Sequence, residues 1–85
     1  MKVVSISVLK SSAPIVFLLR PGTTAEDVLT ALKLNKDFVI FPVSDPARLF
    51  DYRDELYDRV ENRSRLIAAS LADASRAYQR SRAYP

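Results

Sequence analysis

The chain has 85 residues, so it holds one domain at most and its core must be small. It is 48% hydrophobic and 27% charged, too apolar for a disordered chain, and the lack of Cys and His excludes disulfide scaffolds, zinc-thiolate sites and nucleophile-His pairs. The net charge of +3 lies wholly beyond Asp73, the last acid, in Arg76, Arg80 and Arg82. Residues 2 to 10 alternate, with Val4, Ile6 and Val8 on one side and Val3, Ser5, Ser7 and Leu9 on the other, the period of a half-buried strand. Lys10 to Pro14 is a connection of hairpin length, and Ile15 to Arg20 is a second strand that stops at Pro21-Gly22. Thr24 is a cap hydroxyl ahead of Glu26 and Asp27, and Ala25, Val28, Leu29 and Leu32 form one helical stripe, with Asn35 as the stop. Phe38 to Val43 is a third strand, short because Pro42 lacks an N–H.

From Pro46 onward two readings stand. In one, Asp45 caps a single helix reaching Arg82, because Leu49, Tyr52, Leu56, Val60, Arg63, Ile67, Leu71, Ala74 and Tyr78 follow helical steps, spoiled only by Arg63, and no Gly or Pro interrupts them. Such a helix would span roughly 50 Å, more than a three-stranded sheet can cover, and would call for a homodimer. In the other, Leu56 to Val60 is a short extended piece, Asn62 to Ser64 a turn and Leu66 to Ser70 a strand, with residues 71–85 as a basic tail, helical or disordered.

The segment Pro21-Gly22-Thr23-Thr24-Ala25-Glu26-Asp27-Val28-Leu29, placed between a hairpin and a third strand, resembles the passage from strand two into the helix of the ubiquitin superfamily. Glu55-Leu56-Tyr57-Asp58-Arg59-Val60-Glu61-Asn62, followed by Leu66-Ile67, resembles the approach to the last strand of prokaryotic ubiquitin-like domains. The resemblance covers residues 2–70 and favours the second reading: an α+β domain of β-grasp type over residues 1–70, carrying the tail 71–85. It also implies partner binding through the open face of the sheet. The family's conjugation and sulfur-transfer chemistry needs a terminal Gly-Gly. It is not expected here, where Gly22 is the one glycine and the chain closes on Arg82-Ala83-Tyr84-Pro85.

Candidate sites follow from these placements. Asp51, Asp54, Glu55, Asp58 and Glu61 interleave with Arg48, Arg53 and Arg59, the pattern of a solvated, salt-bridged face rather than a metal site. Ser5, Ser7, Ser11 and Ser12 have no base but Lys10, so no catalytic role and no cofactor are expected. With Val4, Ile6, Val8, Ile15, Phe17 and Leu19 facing the helix, Val3, Leu9, Val16 and Leu18 face outward as an apolar protein-binding patch. Arg20 is expected at its rim, joined by Tyr52 and Tyr57 if the fold brings them near. The competing expectation is that the tail, through Leu71 and Tyr78, folds back over this face. A function of another class, nucleic-acid binding through Arg76, Arg80 and Arg82, would be weak and strongly salt-dependent. No run of residues reaches the length of a membrane span, so a monomer in the cytoplasm is the default expectation.

Overall fold

A computed structural model of the protein describes residues 1–9 and 13–76. The elements run β1 (Lys2–Val8), β2 (Ile15–Leu19), α1 (Ala25–Ala31), β3 (Phe38–Pro42) and β4 (Arg65–Ser70), and a second helix, α2, opens at residue 71 and is described to residue 76. The four strands form one mixed sheet in the order β2-β1-β4-β3. β1 pairs antiparallel with β2, Val3 opposite Leu18 and Val4 opposite Phe17. It pairs parallel with β4, Ser5 beside Arg65 and Ile6 beside Leu66, and β4 pairs antiparallel with β3, Phe41 opposite Ile67. The first and last strands therefore share the middle of an α+β domain.

Local chemistry accounts for the elements. The alternation of β1 puts Val4 and Ile6 into the core while Val3 stays exposed. After β2 the chain turns at Gly22, whose φ of 89° an L side chain rarely adopts. Thr24 then caps α1: its hydroxyl accepts from the Asp27 N–H at 3.3 Å while the Asp27 carboxylate accepts from the Thr24 N–H at 3.0 Å. α1 ends three residues before Asn35, at the cap residue Leu32. Lys33 takes the left-handed conformation at φ 61°, and the Leu34 N–H reaches back to the Leu29 carbonyl at 2.8 Å, closing the helix.

The core lies between α1 and one face of the sheet. Val4, Ile6, Leu19, Ile40, Leu66 and Ala68 from the strands meet Ala25, Val28 and Leu29 from α1, and Phe50, Leu56 and Val60 from the loop before β4 complete it. Each of the larger side chains contributes about 1.5–3 kcal/mol by leaving water. Strand β4 rules out the single long helix over residues 47–82, and with it the homodimer built on that helix. Nor is Leu56 to Val60 extended: the Arg59 and Val60 N–H groups both donate to the Leu56 carbonyl, making one tight turn that drops Leu56 and Val60 into the core. The apolar spacing of three to four residues in this segment marks successive turns laid on the core rather than one helix. In the turn that follows, Arg63 and not Asn62 adopts the left-handed conformation, at φ 66°.

Candidate functional site

The two faces of the sheet are covered unequally. α1 and the loop at residues 50–60 close one of them. On the other, α2 lies over the β3–β4 half, with Ala74 buried against Val39, Phe41 and Ala69 and Ile67 packed beside them. The chain after β4 thus does fold back on the open face, but the contact runs through Ala74; Leu71 is exposed, and Tyr78 lies outside the described residues.

The β1–β2 half keeps its apolar side chains in solvent. Val3, Val16 and Leu18 are 40%, 67% and 62% exposed, and the register sets Val3 directly across from Leu18 and Val16 across from Ser5. Leu9 is also exposed on this face, but Ser5 and Ser7 separate it from Val3 along β1, at a distance of about 20 Å. It stands apart from the patch. Arg20, two residues beyond Leu18, continues the same side of β2.

Two further arginines reach this patch from β4 and the turn before it. The Asn62 Oδ1 accepts the Val3 N–H at 2.8 Å and the Arg63 N–H donates to the Val3 carbonyl at 2.6 Å, which fixes Arg63 beside Val3. Arg65 stands beside Ser5, and the Val43 N–H donates to its carbonyl, adding one more exposed aliphatic side chain to the row. Residues 42–44 and 61–65 also line a cleft of about 410 Å³ at this end of the sheet. Among the described residues the ion pairs are Arg53–Asp51, Arg59–Asp54 and Arg76–Asp73, so Arg20, Arg63 and Arg65 all stand unpaired. An aliphatic strip bounded by three uncompensated guanidinium groups is the chemical character of the site. The parity of β1 and β2 foretells the aliphatic members. Arg63 and Arg65 escape the sequence because their place beside Val3 and Ser5 depends on a parallel pairing across some sixty residues.

Other expected members fall elsewhere. Tyr52 and Tyr57 pack against the core on the α1 side, Tyr57 beneath the Lys2 ammonium at 4.5 Å and Tyr52 between Lys36 and Arg53, so neither forms part of a rim to the patch. The Lys2 Nζ donates to the Tyr57 and Val60 carbonyls and so pins that loop to β1. Three of the five acidic residues are also occupied locally. Asp54 accepts from the Asp51 N–H at 2.9 Å and meets Arg59 at 3.4 Å, Asp51 accepts from the Arg53 N–H, and Glu55 accepts from the Gly22 N–H. No group of three or more metal-ligating side chains stands together among the described residues. Of the arginines in the tail, Arg76 lies 3.7 Å from Asp73, while Arg80 and Arg82, like Lys10, Ser11 and Ser12, lie outside the described residues.

No described helix is long and apolar enough to cross a membrane. Comparison with protein-family models, with curated proteins and with solved structures finds no match.

Proposed function

We propose that the chain is a β-grasp domain of ubiquitin-like type that acts without catalysis, binding a protein partner through the uncovered β1–β2 half of its sheet. The fold reading is supported by an N-terminal hairpin, a helix across one face and a last strand inserted parallel to the first, in the order β2-β1-β4-β3. The observation that carries the function is the strip itself: Val3, Val16 and Leu18 side by side in solvent, with Arg20, Arg63 and Arg65 unpaired around them. Apolar side chains contiguous in solvent mark an interaction surface, and unpaired arginines around them select a partner that brings carboxylates beside its own aliphatic side chains. Bases stack on aromatic platforms, and this strip is aliphatic, so the same arginines favour protein over single-stranded nucleic acid. Arg76 is engaged by Asp73, and the nucleic-acid reading draws no support from it.

The test is cross-linking capture of a partner from the cells that make the protein, followed by titration calorimetry on the pair. Leu18→Asp alters an exposed side chain, so folding should be preserved while affinity falls by about 2 kcal/mol or more, the size of a hot-spot loss. Undiminished affinity in that variant would refute this surface.

A further inference from the structure

The two edges of the sheet differ in how their backbone groups are satisfied. On β1, Ser5 and Leu9 donate toward β4, so the odd-numbered residues of β1 turn their amides to β4 and the even-numbered ones to β2. Through the pairs Val4–Phe17 and Ile6–Ile15, the odd residues of β2 therefore bond to β1, and Val16 and Leu18 direct N–H and C=O away from the sheet. Pro14 has no N–H, and at the other end the Arg20 N–H and C=O are taken by the hydroxyl and N–H of Thr23. Among the described residues, the donors and acceptors of Val16 and Leu18 have no partner.

β3, at the opposite edge, is mostly closed, with the Phe38 carbonyl as its one open group among the described residues. The Phe38 N–H donates to the Asn35 carbonyl, and Ile40 exchanges both its bonds with Phe50, at 3.0 and 2.8 Å. Pro42 has no N–H, and its carbonyl accepts from Asp45. One edge is closed but for a single carbonyl, while the other is a five-residue apolar strand without charge, proline or bulge, the kind of edge that recruits another strand.

Exposure on both faces of β2 points the same way. Ile15 lies on the α1 side and is nevertheless 46% exposed, while Val16 and Leu18 are exposed on the other side. A partner lying on the open face would leave Ile15 in water, whereas a strand added at the edge sets side chains beside those of β2 on both faces of the sheet.

We infer that β2 pairs antiparallel with β2 of a second copy of this chain, about a twofold axis at Phe17. In that register Val16 meets Leu18 of the other copy and Leu18 meets its Val16, so the four open groups of each copy are consumed in four reciprocal hydrogen bonds. Ile15 stands opposite the Leu19 of the other copy, whose side chain is held in its own core, so no charged side chain opposes an apolar one across the five paired residues. The two Arg20 side chains end six residues apart, about 20 Å and beyond the screening length of roughly 8 Å, whereas a parallel pairing would stack them. The seam is small, below about 1,200 Å² in total, so the dimer is a transient one governed by concentration. It is independent of the partner site above: it leaves the open face bare and joins the strips of two copies side by side.

Sedimentation equilibrium of the full chain over a wide range of concentration, with amide exchange read by NMR on the same samples, tests this. The mass should climb from one chain towards two. The Val16 and Leu18 amides should exchange freely when dilute and become protected when concentrated, with Phe17 and Leu19 protected throughout. Val16→Pro removes an edge donor without touching the β1 ladder, and Ile15→Lys sets a charge on the seam without altering the open face. Each should weaken the dimer at least about tenfold, since the symmetric seam loses its contact twice. Ile15→Lys decides the matter if the proline variant does not fold. A single-chain mass at every concentration would overturn the inference, as would a dimer whose Val16 and Leu18 amides remain unprotected.

Discussion

Arg63 and Lys33 hold their backbones in the left-handed region, at φ 66° and 61°, where a side chain with a Cβ is strained by about 1–2 kcal/mol. Glycine would relieve most of that, offset in part by the extra freedom it gives the unfolded chain. Arg63→Gly and Lys33→Gly should therefore each stabilise the fold by about 0.5–1 kcal/mol in urea unfolding. Their effects on partner binding should diverge. Arg63 stands beside Val3 in the strip and its removal should weaken the complex, while Lys33 closes α1 on the other side and its removal should not. Strain is common to both positions, so the binding role of Arg63 rests on its place beside Val3 and is read from affinity, not from stability. Stabilisation without any loss of affinity at Arg63 would count against that role. At Thr24, where hydroxyl and carboxylate cap α1 reciprocally, Thr24→Ala should cost about 1 kcal/mol in the same assay.

Among its described residues, α2 is attached to the sheet through one buried side chain. Ala74, almost fully buried against Val39, Phe41 and Ala69, is its anchor among the described residues. Ala74→Asp sets a charge into that contact and should release α2, with amide protection at residues 71–76 falling to that of exposed backbone while β1 and β4 stay protected. Loss of protection throughout the sheet would instead make α2 part of the cooperative core. The hairpin, α1 and β3 are legible in the sequence because each carries its own period or cap: alternation in β1, the Thr24 and Asp27 pair, the β-rich Phe38–Pro42. The segment after Pro46 is not. Phe50, Leu56 and Val60 reach the core from separate turns spaced like helical steps, and in β4 the small Ala68 and Ala69 blur the alternation. Resemblance, rather than the residues, favours a strand there. The site divides in the same way. Strand parity marks Val3, Val16 and Leu18, and the two serines before Leu9 set it apart along the same strand, whereas Arg63 in the turn and Arg65 in β4 are placed only by the long-range pairing.

Across the whole molecule, basic charge is compensated on one side of the sheet and not on the other. The acids of the loop beside α1 interleave with arginines, Asp51 meeting Arg53 and Asp54 meeting Arg59, while Arg20, Arg63 and Arg65 have no ion pair among the described residues. Association with an acidic partner should accordingly be steered: in stopped-flow measurements the association rate should drop severalfold as salt rises, with dissociation changing less. A rate indifferent to salt would leave the arginines without that role. The same sheet sets the timing of folding. β1 finds its parallel neighbour only in β4, some sixty residues later, so most of the sheet's stability rests on contacts distant in sequence, and folding should be slow for the size of the domain. On the ribosome this becomes a matter of waiting. The hairpin emerges well before β4, bearing its unguarded apolar strand, and lacks its parallel neighbour until β4 has followed it out, so over that interval the nascent chain needs a chaperone or its own solubility to keep that strand from its neighbours.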